Sequence, residues 1–240
     1  MVRPGHAAMI AGKVLGQGVA RTASGAAIPF TMVEPERSIP NLGEIGRESR
    51  RWHGTALRFR EMANKGQLPN DVAKRAEFAD EVLAVVGEHL RLGVHGFVVA
   101  QGHDGRILGV TTYGSPRPRE GSLNLVAIDP EQLAGTPGDQ QLRGIGTSMV
   151  AAASQIMLAR GDEAVYLHPF DQEAALFWSH RGFGYCGAGG LLCVRGRAAV
   201  EALKGRCELS PDCGDTGDCV TCGRLEDTAR VRVPALRATM

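Results

Sequence analysis

One segment of the chain has residue types and a spacing that suit the binding of an anion. It reads Gln141-Leu142-Arg143-Gly144-Ile145-Gly146, it follows a predicted strand, and Thr147 and Ser148 open the helix predicted after it. The first N–H groups of a helix lack acceptors within the helix, and glycines allow a phosphate to approach the backbone closely. Neither a complete Walker pattern nor a three-glycine dinucleotide pattern is present. The segment therefore predicts an anion site without fixing the ligand.

A second segment narrows the interpretation. It reads Asp171-Gln172-Glu173-Ala174-Ala175-Leu176-Phe177-Trp178-Ser179-His180-Arg181-Gly182-Phe183. Together the two segments resemble two signatures of the GNAT N-acetyltransferase superfamily, namely its acetyl-CoA pyrophosphate loop and its aromatic pair followed by Gly-Phe. The resemblance covers about residues 80–200, with the signatures in the right order. It implies a mixed α/β fold whose largely antiparallel sheet splays at the middle, with CoA in the split between the strands at Leu123–Ile128 and Val165–His168.

The resemblance also implies roles for residues. The backbone amides that would hold the CoA pyrophosphate belong to Leu142, Arg143, Gly144, Ile145, Gly146, Thr147 and Ser148. Backbone groups of Val126, Ala127 and Ile128 would pair with the pantetheine arm, much as a sheet edge binds a peptide, and Phe177 would contact the cofactor. Acetyl transfer to an amine by direct attack on the thioester needs no covalent nucleophile, so no catalytic triad is expected.

The groups that would move protons depart from the family pattern. Trp178 stands where the family often has a tyrosine that protonates the leaving thiolate, and an indole N–H is no practical acid. Tyr185 and His168 are the candidate catalytic residues that lie nearby in sequence. The strand that usually carries a carboxylate base offers only Asn124 and Asp129 as polar residues, so removal of the amine proton through water or by His168 stays open.

These segments need a framework of helices and strands to position them. From Asn41 the hydrophobic patterns predict the order α-α-β-β-β-α-β-α-β-β, with a hairpin at His103-Asp104-Gly105. We therefore predict a mixed α/β domain over residues 41–204 that begins with a helical extension. The resemblance implies a GNAT-like acetyltransferase domain, in which these two leading helices would shape the acceptor pocket. Residues 1–40, rich in Gly, Ala and Pro, are predicted to be a flexible arm.

The cysteines leave two interpretations open. Residues 205–240 contain Cys207, Cys213, Cys219 and Cys222, whose spacing fits either a structural zinc site or reduced thiols in a flexible tail. Cys186 and Cys193 flank a glycine-rich turn and can face each other across a hairpin, where we expect free, buried thiols.

Composition limits the class of function. A formal net charge of +1 and 22% charged residues give no overall field for nucleic acid or membrane, and a basic run from Arg47 to Arg60 is interrupted by Glu48 and Glu61. No apolar run is long enough for a membrane span or a signal peptide, so we expect a cytoplasmic protein. The sequence thus predicts an acetyl-CoA-dependent N-acetyltransferase with an unidentified amine acceptor. The alternative is a non-catalytic CoA-binding or interaction module, and a homodimer stays open.

Overall fold

The protein is described by a computed structural model over residues 9–22, 24–93, 95–133, 141–169, 172–186 and 190–196. The strands in these residues are β1 (Gly12–Arg21), β2 (Ala27–Pro35), β3 (Gly96–Gly102), β4 (Ile107–Arg117), β5 (Glu120–Ile128), β6 (Ala164–Leu167), β7 (Gly184–Tyr185) and β8 (Leu192–Arg195). The helices are α1 (Ile39–Asn64), α2 (Asn70–Leu92), α3 (Ile145–Ala159) and α4 (Gln172–His180), with a short 3₁₀ turn at Pro130–Gln132. The predicted mixed α/β class and the element order after Asn41 are confirmed.

The prediction of a flexible N-terminal arm is wrong for residues 12–35. These residues form the antiparallel hairpin β1–β2, and β2 continues the sheet by pairing with β3. Phe30 and Met32 point from alternate positions of β2 into the core, and Gly18 lies directly beneath the Phe30 ring, where a Cβ would overlap it. The hairpin was missed because its glycines, which permit this packing, look like loop residues in the sequence.

The eight strands form one sheet in the order β1-β2-β3-β4-β5-β6-β8-β7. All neighbouring strands are antiparallel except β5 and β6, which are parallel. The parallel pairing extends only over Glu120–Leu123 opposite Ala164–Leu167, while β5 continues along β4 to Ile128. The sheet therefore forks after Leu123, which confirms the splay that the sequence resemblance implied.

A β-bulge lies at the fork. The pairing of β4 with β5 passes from Tyr113 opposite Leu123 to Thr112 opposite Leu125, so that Asn124 is an extra residue on β5. A bulge bends its strand and increases the local twist, and it changes which face the following side chains occupy. The bend in β5 thus coincides with the end of its pairing with β6.

The two faces of the sheet are covered by different helices. On one face, Val98, Val126 and Ile128 belong to the same core cluster as Ile145 and Met149 of α3. On the other face, the cluster contains Val99, Val110, Leu125 and Ala127 with Ile45, Trp52, Val82, Leu83 and Val86 of α1 and α2. The helices therefore hold β5 from both sides along its unpaired length.

A buried ion-pair network holds α1 against the end of β5. Asp129 is fully buried and accepts hydrogen bonds from both Nη atoms of Arg51, at 3.1 and 2.8 Å, and from Arg106 Nη2 at 3.0 Å. Arg51 also donates to Glu48 Oε2 from Nε and Nη2, at 3.0 and 2.9 Å. Burial disfavours the charged guanidinium, but the hydrogen bonds and charges of Asp129 and Glu48 outweigh it and raise the Arg51 pKa. The network thereby fixes Asp129, the residue directly after the end of β5.

The expectation of free thiols at Cys186 and Cys193 is also wrong, because the two residues form a disulfide across the β7–β8 hairpin. The residues of the proposed zinc site all lie outside the described residues, and the domain boundaries stay a prediction. None of the helices in the described residues is both long and apolar enough to cross a bilayer.

We expect Asp129→Asn to lower the free energy of unfolding by about 3 kcal/mol, because it removes the buried carboxylate charge that Arg51 and Arg106 share. Urea unfolding followed by circular dichroism measures the change. Glu163→Gln is the control, since its ion pair with Arg119 has side chains that are 68% and 74% exposed and exposed pairs contribute little. Equal unfolding midpoints for the two variants would contradict this role of the network.

Candidate functional site

The anion-binding segment lies where the sequence placed it, at the N-terminus of α3. Gly144 is the N-cap, with φ +93° and ψ −14°, a left-handed conformation that favours glycine. The Ser148 N–H donates to Gly144 O at 3.1 Å and begins the helical hydrogen-bond pattern, so the N–H groups of Ile145, Gly146 and Thr147 have no acceptor within the helix. The Arg143 N–H, in contrast, is already hydrogen-bonded, because it donates to Arg21 O at 2.9 Å. The free amides thus run from Gly144 to Thr147, a narrower set than predicted.

Buried side chains hold this loop next to the unpaired part of β5. Leu142 and Ile145 are buried in the core that contains Val126 and Ile128. A Cβ at Gly146 would lie 3.5 Å from Ile128 Cδ1 and 4.0 Å from Val126 Cγ1, which is ordinary contact. The free amides of α3 therefore adjoin the strand edge at the fork.

That strand edge carries free backbone groups at alternate residues. Ala127 lies opposite Val110 of β4, and the Asp129 N–H donates to Leu108 O at 3.0 Å. Because hydrogen-bonding directions alternate along a strand, the N–H and C=O groups of Val126 and Ile128 face the fork, where β6 no longer pairs with β5 in the described residues. Of the three residues predicted to bind pantetheine, Val126 and Ile128 present their backbones to the fork and Ala127 does not.

Two of the predicted cofactor contacts have other partners. The Thr147 hydroxyl accepts from Arg181 Nε at 3.0 Å and is buried. Phe177 is buried too, and the Arg181 guanidinium lies 3.6 Å from the centre of its ring. Arg181 thus joins the end of α4 to the first turn of α3, and Thr147 and Phe177 serve this packing.

The predicted proton-transfer residues lie at different distances from the fork. His168 directly follows Leu167, the last residue of β6 that pairs with β5, and its side chain is exposed. Tyr185 is 69% exposed on the outermost strand β7, so that β8 and β6 separate it from β5. At about 4.8 Å per strand, Tyr185 lies too far from the fork to act there. The fold therefore places His168 beside the fork and Tyr185 three strands away from β5.

Trp178 belongs to the hydrophobic core. Its ring is buried and packs edge-on against Phe177 and Phe183, with centroid distances of 4.8 and 5.5 Å. Its Nε1 is buried and has no hydrogen-bond acceptor within the described part of the chain. The indole thus contributes to the packing of α4, the helix on which it lies.

A cavity of about 360 Å³ lies beside β4, and no pattern in the sequence predicted it. Its lining includes Glu34, Arg37, His95, Gly114, Ser115 and Arg160. Gly114 lies opposite Ser122 of β5, next to the pair Tyr113–Leu123 at which the fork begins. A Cβ at Gly114 would lie 3.1 Å from His95 Nδ1 and 3.7 Å from Asn124 Nδ2, so the glycine leaves both polar groups uncovered.

The ionisable groups around this cavity are held by contacts between distant segments. Glu34 accepts from the Tyr113 hydroxyl at 2.6 Å and from Arg160 at 3.0 Å. His95 packs against His89 with ring centroids 4.7 Å apart. Burial lowers the pKa of His95, and the neighbouring His89 lowers it further, so the neutral imidazole dominates at pH 7. No local motif predicts this grouping, because these residues come from four elements and the loops between them.

The basic run on α1 does not form a free cationic surface. Four of its five arginines pair with carboxylates, in the pairs Arg47–Glu44, Arg51–Glu48, Arg58–Glu131 and Arg60–Glu77, and its Trp52 and Phe59 are buried. Within the described ranges, no group of three or more His, Cys, Asp or Glu residues is arranged to hold a metal ion.

Comparison with known proteins gives similarities of structure alone. No protein-family model and no curated protein matches the chain. Among solved structures that match, a complex of the protein AtaT with acetyl-CoA and the C-terminus of the antitoxin AtaR has 20% identity, a TM-score of 0.42, and coverage of 53% of this chain and 84% of that one. Nourseothricin acetyltransferase has 18% identity, a TM-score of 0.33, and coverage of 42% of this chain and 65% of that one. The catalytic domain of a Tetrahymena histone acetyltransferase with coenzyme A has 13% identity, a TM-score of 0.36, and coverage of 69% of this chain and 91% of that one.

Two of these three proteins, nourseothricin acetyltransferase and the Tetrahymena histone acetyltransferase, are acetyltransferases by name. The chain spans just under two thirds of the length of nourseothricin acetyltransferase. The ligands and partners named above belong to those proteins and are not assigned to this chain by the comparison.

We expect Gly144→Ala to lower the free energy of unfolding by about 1–2 kcal/mol, because an L-residue is strained at this left-handed position. Gly54→Ala is the matched control. Gly54 lies inside α1 with open space where a Cβ would be, so the change should raise stability by about 0.5–1 kcal/mol. Chemical unfolding of both variants tests this, and a Gly144→Ala protein as stable as the parent would exclude the left-handed cap.

Proposed function

We propose that the protein is an acetyl-CoA-dependent N-acetyltransferase that transfers the acetyl group to a primary amine. The observation that carries the proposal is the fork, where the free backbone groups of Val126 and Ile128 adjoin the free amides of Gly144–Thr147. CoA has matching chemistry in the same order, with an amide-bearing arm and a pyrophosphate. The helix N-terminus would bind the pyrophosphate and the strand edge the arm.

Bound in this way, the thioester would lie near Leu123 and Asn124, where the strands meet. The amine nitrogen attacks the carbonyl carbon, the C–S bond breaks, the amine loses a proton, and the thiolate gains one. No step requires a covalent enzyme intermediate. The protein has to orient the two reactants and move one proton.

We assign the proton transfer to His168. It is the first residue after the paired part of β6 and its side chain is exposed, so it can reach a group held in the fork. A single imidazole can accept the proton of the attacking amine and return it to the leaving thiolate, which balances the reaction without a second acid. This assignment does not require the missing tyrosine.

The acceptor amine would occupy the cavity beside Gly114. The cavity is lined in part by Gly114 of β4, whose partner on β5, Ser122, directly precedes Leu123, where the strands diverge. It contains one carboxylate, Glu34, whose hydrogen bonds to Tyr113 and Arg160 fix its position. A primary amine entering there would approach the thioester where the strands diverge.

The second candidate function is a CoA-binding module without turnover. The buried Trp178 favours it, because the family resemblance places a catalytic phenol at this position. The two functions differ in one measurement, the release of free thiol from acetyl-CoA in the presence of a panel of primary amines. Thiol release with amine acetylation indicates the enzyme, whereas tight CoA binding without release indicates the module.

Gly146→Glu should weaken CoA binding at least tenfold, because it puts a negative charge at the free amides of α3. Gly146→Gln is the matched control, since it adds nearly the same volume without charge, and the surrounding space accepts a Cβ. A carboxylate is favourable at a helix N-terminus, so the Glu variant should fold as well as the Gln variant. Calorimetric titration with CoA measures both. Equal affinities would refute the assigned pyrophosphate site.

His168→Gln should lower kcat about 100-fold or more while the KM for acetyl-CoA changes little, because proton transfer belongs to the transition state. His103→Gln is the control, since it removes an exposed imidazole from the β3–β4 turn. Steady-state thiol release measures both variants. An unchanged kcat for His168→Gln would mean that water carries the proton, and it would refute the assignment of proton transfer to His168.

A further inference from the structure

The end of β1 touches the anion-binding loop through a backbone bridge. The Arg21 N–H donates to Arg143 O at 3.1 Å, and the Arg143 N–H donates to Arg21 O at 2.9 Å. Residues that face each other in an antiparallel bridge carry their side chains on the same face. The bridge therefore places two arginine side chains on the same face, one from the N-terminal hairpin and one from the loop.

These two guanidinium groups have no countercharge in the described part of the chain. No ion pair to a carboxylate is formed there by Arg21 or Arg143, whereas the arginines on α1 are mostly paired. Arg143 Nε is buried and has no hydrogen-bond partner in those residues. Like charges directly opposite each other in a bridge are destabilising, so the pair is unfavourable unless an anion lies between or beside the two groups.

The neighbouring helix adds to the same positive potential. Arg143 directly precedes Gly144, the N-cap of α3, and the first turn of α3 contains no acidic residue. The N-terminus of a helix carries a partial positive charge. Within the described residues, two arginines and a helix end thus converge without a protein anion, and arginine is the side chain best suited to bind phosphate.

We propose that Arg21 and Arg143 bind a phosphate group of CoA, so that the N-terminal hairpin supplies part of the cofactor site. This inference rests on the proposed function, because the ligand is the same CoA molecule. The chemistry is that of a phosphate mono- or diester, and both the pyrophosphate and the 3′-phosphate of CoA fit it. Arg21 is the new element, because it lies far outside the segment that predicted the anion site.

The test is calorimetric titration of the full chain with CoA and with 3′-dephospho-CoA. Arg21→Gln and Arg143→Gln should each weaken CoA binding about tenfold, the usual effect of losing a charge-assisted hydrogen bond. Lys13→Gln is the matched control, since it removes an exposed cation from the far end of the same strand and should leave the affinity unchanged. The stability of Arg21→Gln without ligand should not fall, because the substitution relieves a repulsion.

The outcomes separate the alternatives. If the effect of Arg21→Gln disappears with 3′-dephospho-CoA, the pair binds the 3′-phosphate; if the effect persists, the pair binds the pyrophosphate. If the parent chain binds CoA and Arg21→Gln binds it equally well, the inference fails while the proposed function stands. If the parent chain does not bind CoA, both fail. A loss of affinity that parallels a loss of stability would make Arg21 a structural residue and would overturn the proposal.

Discussion

β5 cannot pair with both of its neighbours along its whole length, and the rest of the site depends on this constraint. The extra residue at Asn124 bends the strand where its pairing with β6 ends. Unpaired strand edges are normally a hazard, because they recruit other strands. Here the edge lies between α3 on one face and α1 and α2 on the other. The fold thus keeps backbone hydrogen-bonding groups available in a place that other chains cannot easily reach.

Two kinds of interaction keep the fork open. Apolar packing of Val126 and Ile128 against α3 holds one face of β5, and the ion pairs of Asp129 with Arg51 and Arg106 fix its end. The first is non-directional and sets the distance between strand and helix. The second is directional and sets where the strand stops. Neither contribution comes from β6, so the unpaired length of β5 is held without it.

The sequence predicted the parts of the site that depend on local patterns. Gly144 and Gly146 signalled the loop, and alternating apolar residues signalled β5, because turn conformation and strand periodicity are local properties. The arrangement around Gly114, His95 and Asn124 could not be predicted, because it depends on the register of three strands. The same reason explains Tyr185: its position in sequence is close to the aromatic pair, but sheet order places it at the far edge. The β1–β2 hairpin was missed because its glycines serve packing against Phe30.

The bridge between Arg21 and Arg143 has a consequence for the order in which the domain forms. It joins the first strand to a loop that is synthesised only after α1, α2 and the whole of β3–β5. Contacts between such distant segments carry a large loop-closure entropy and form late in folding. The hairpin can pair with β3 early, but its tip finds its partner only when α3 is in place. Nascent chains that end before α3 therefore lack the bridge, and its formation ties the hairpin to the second half of the domain.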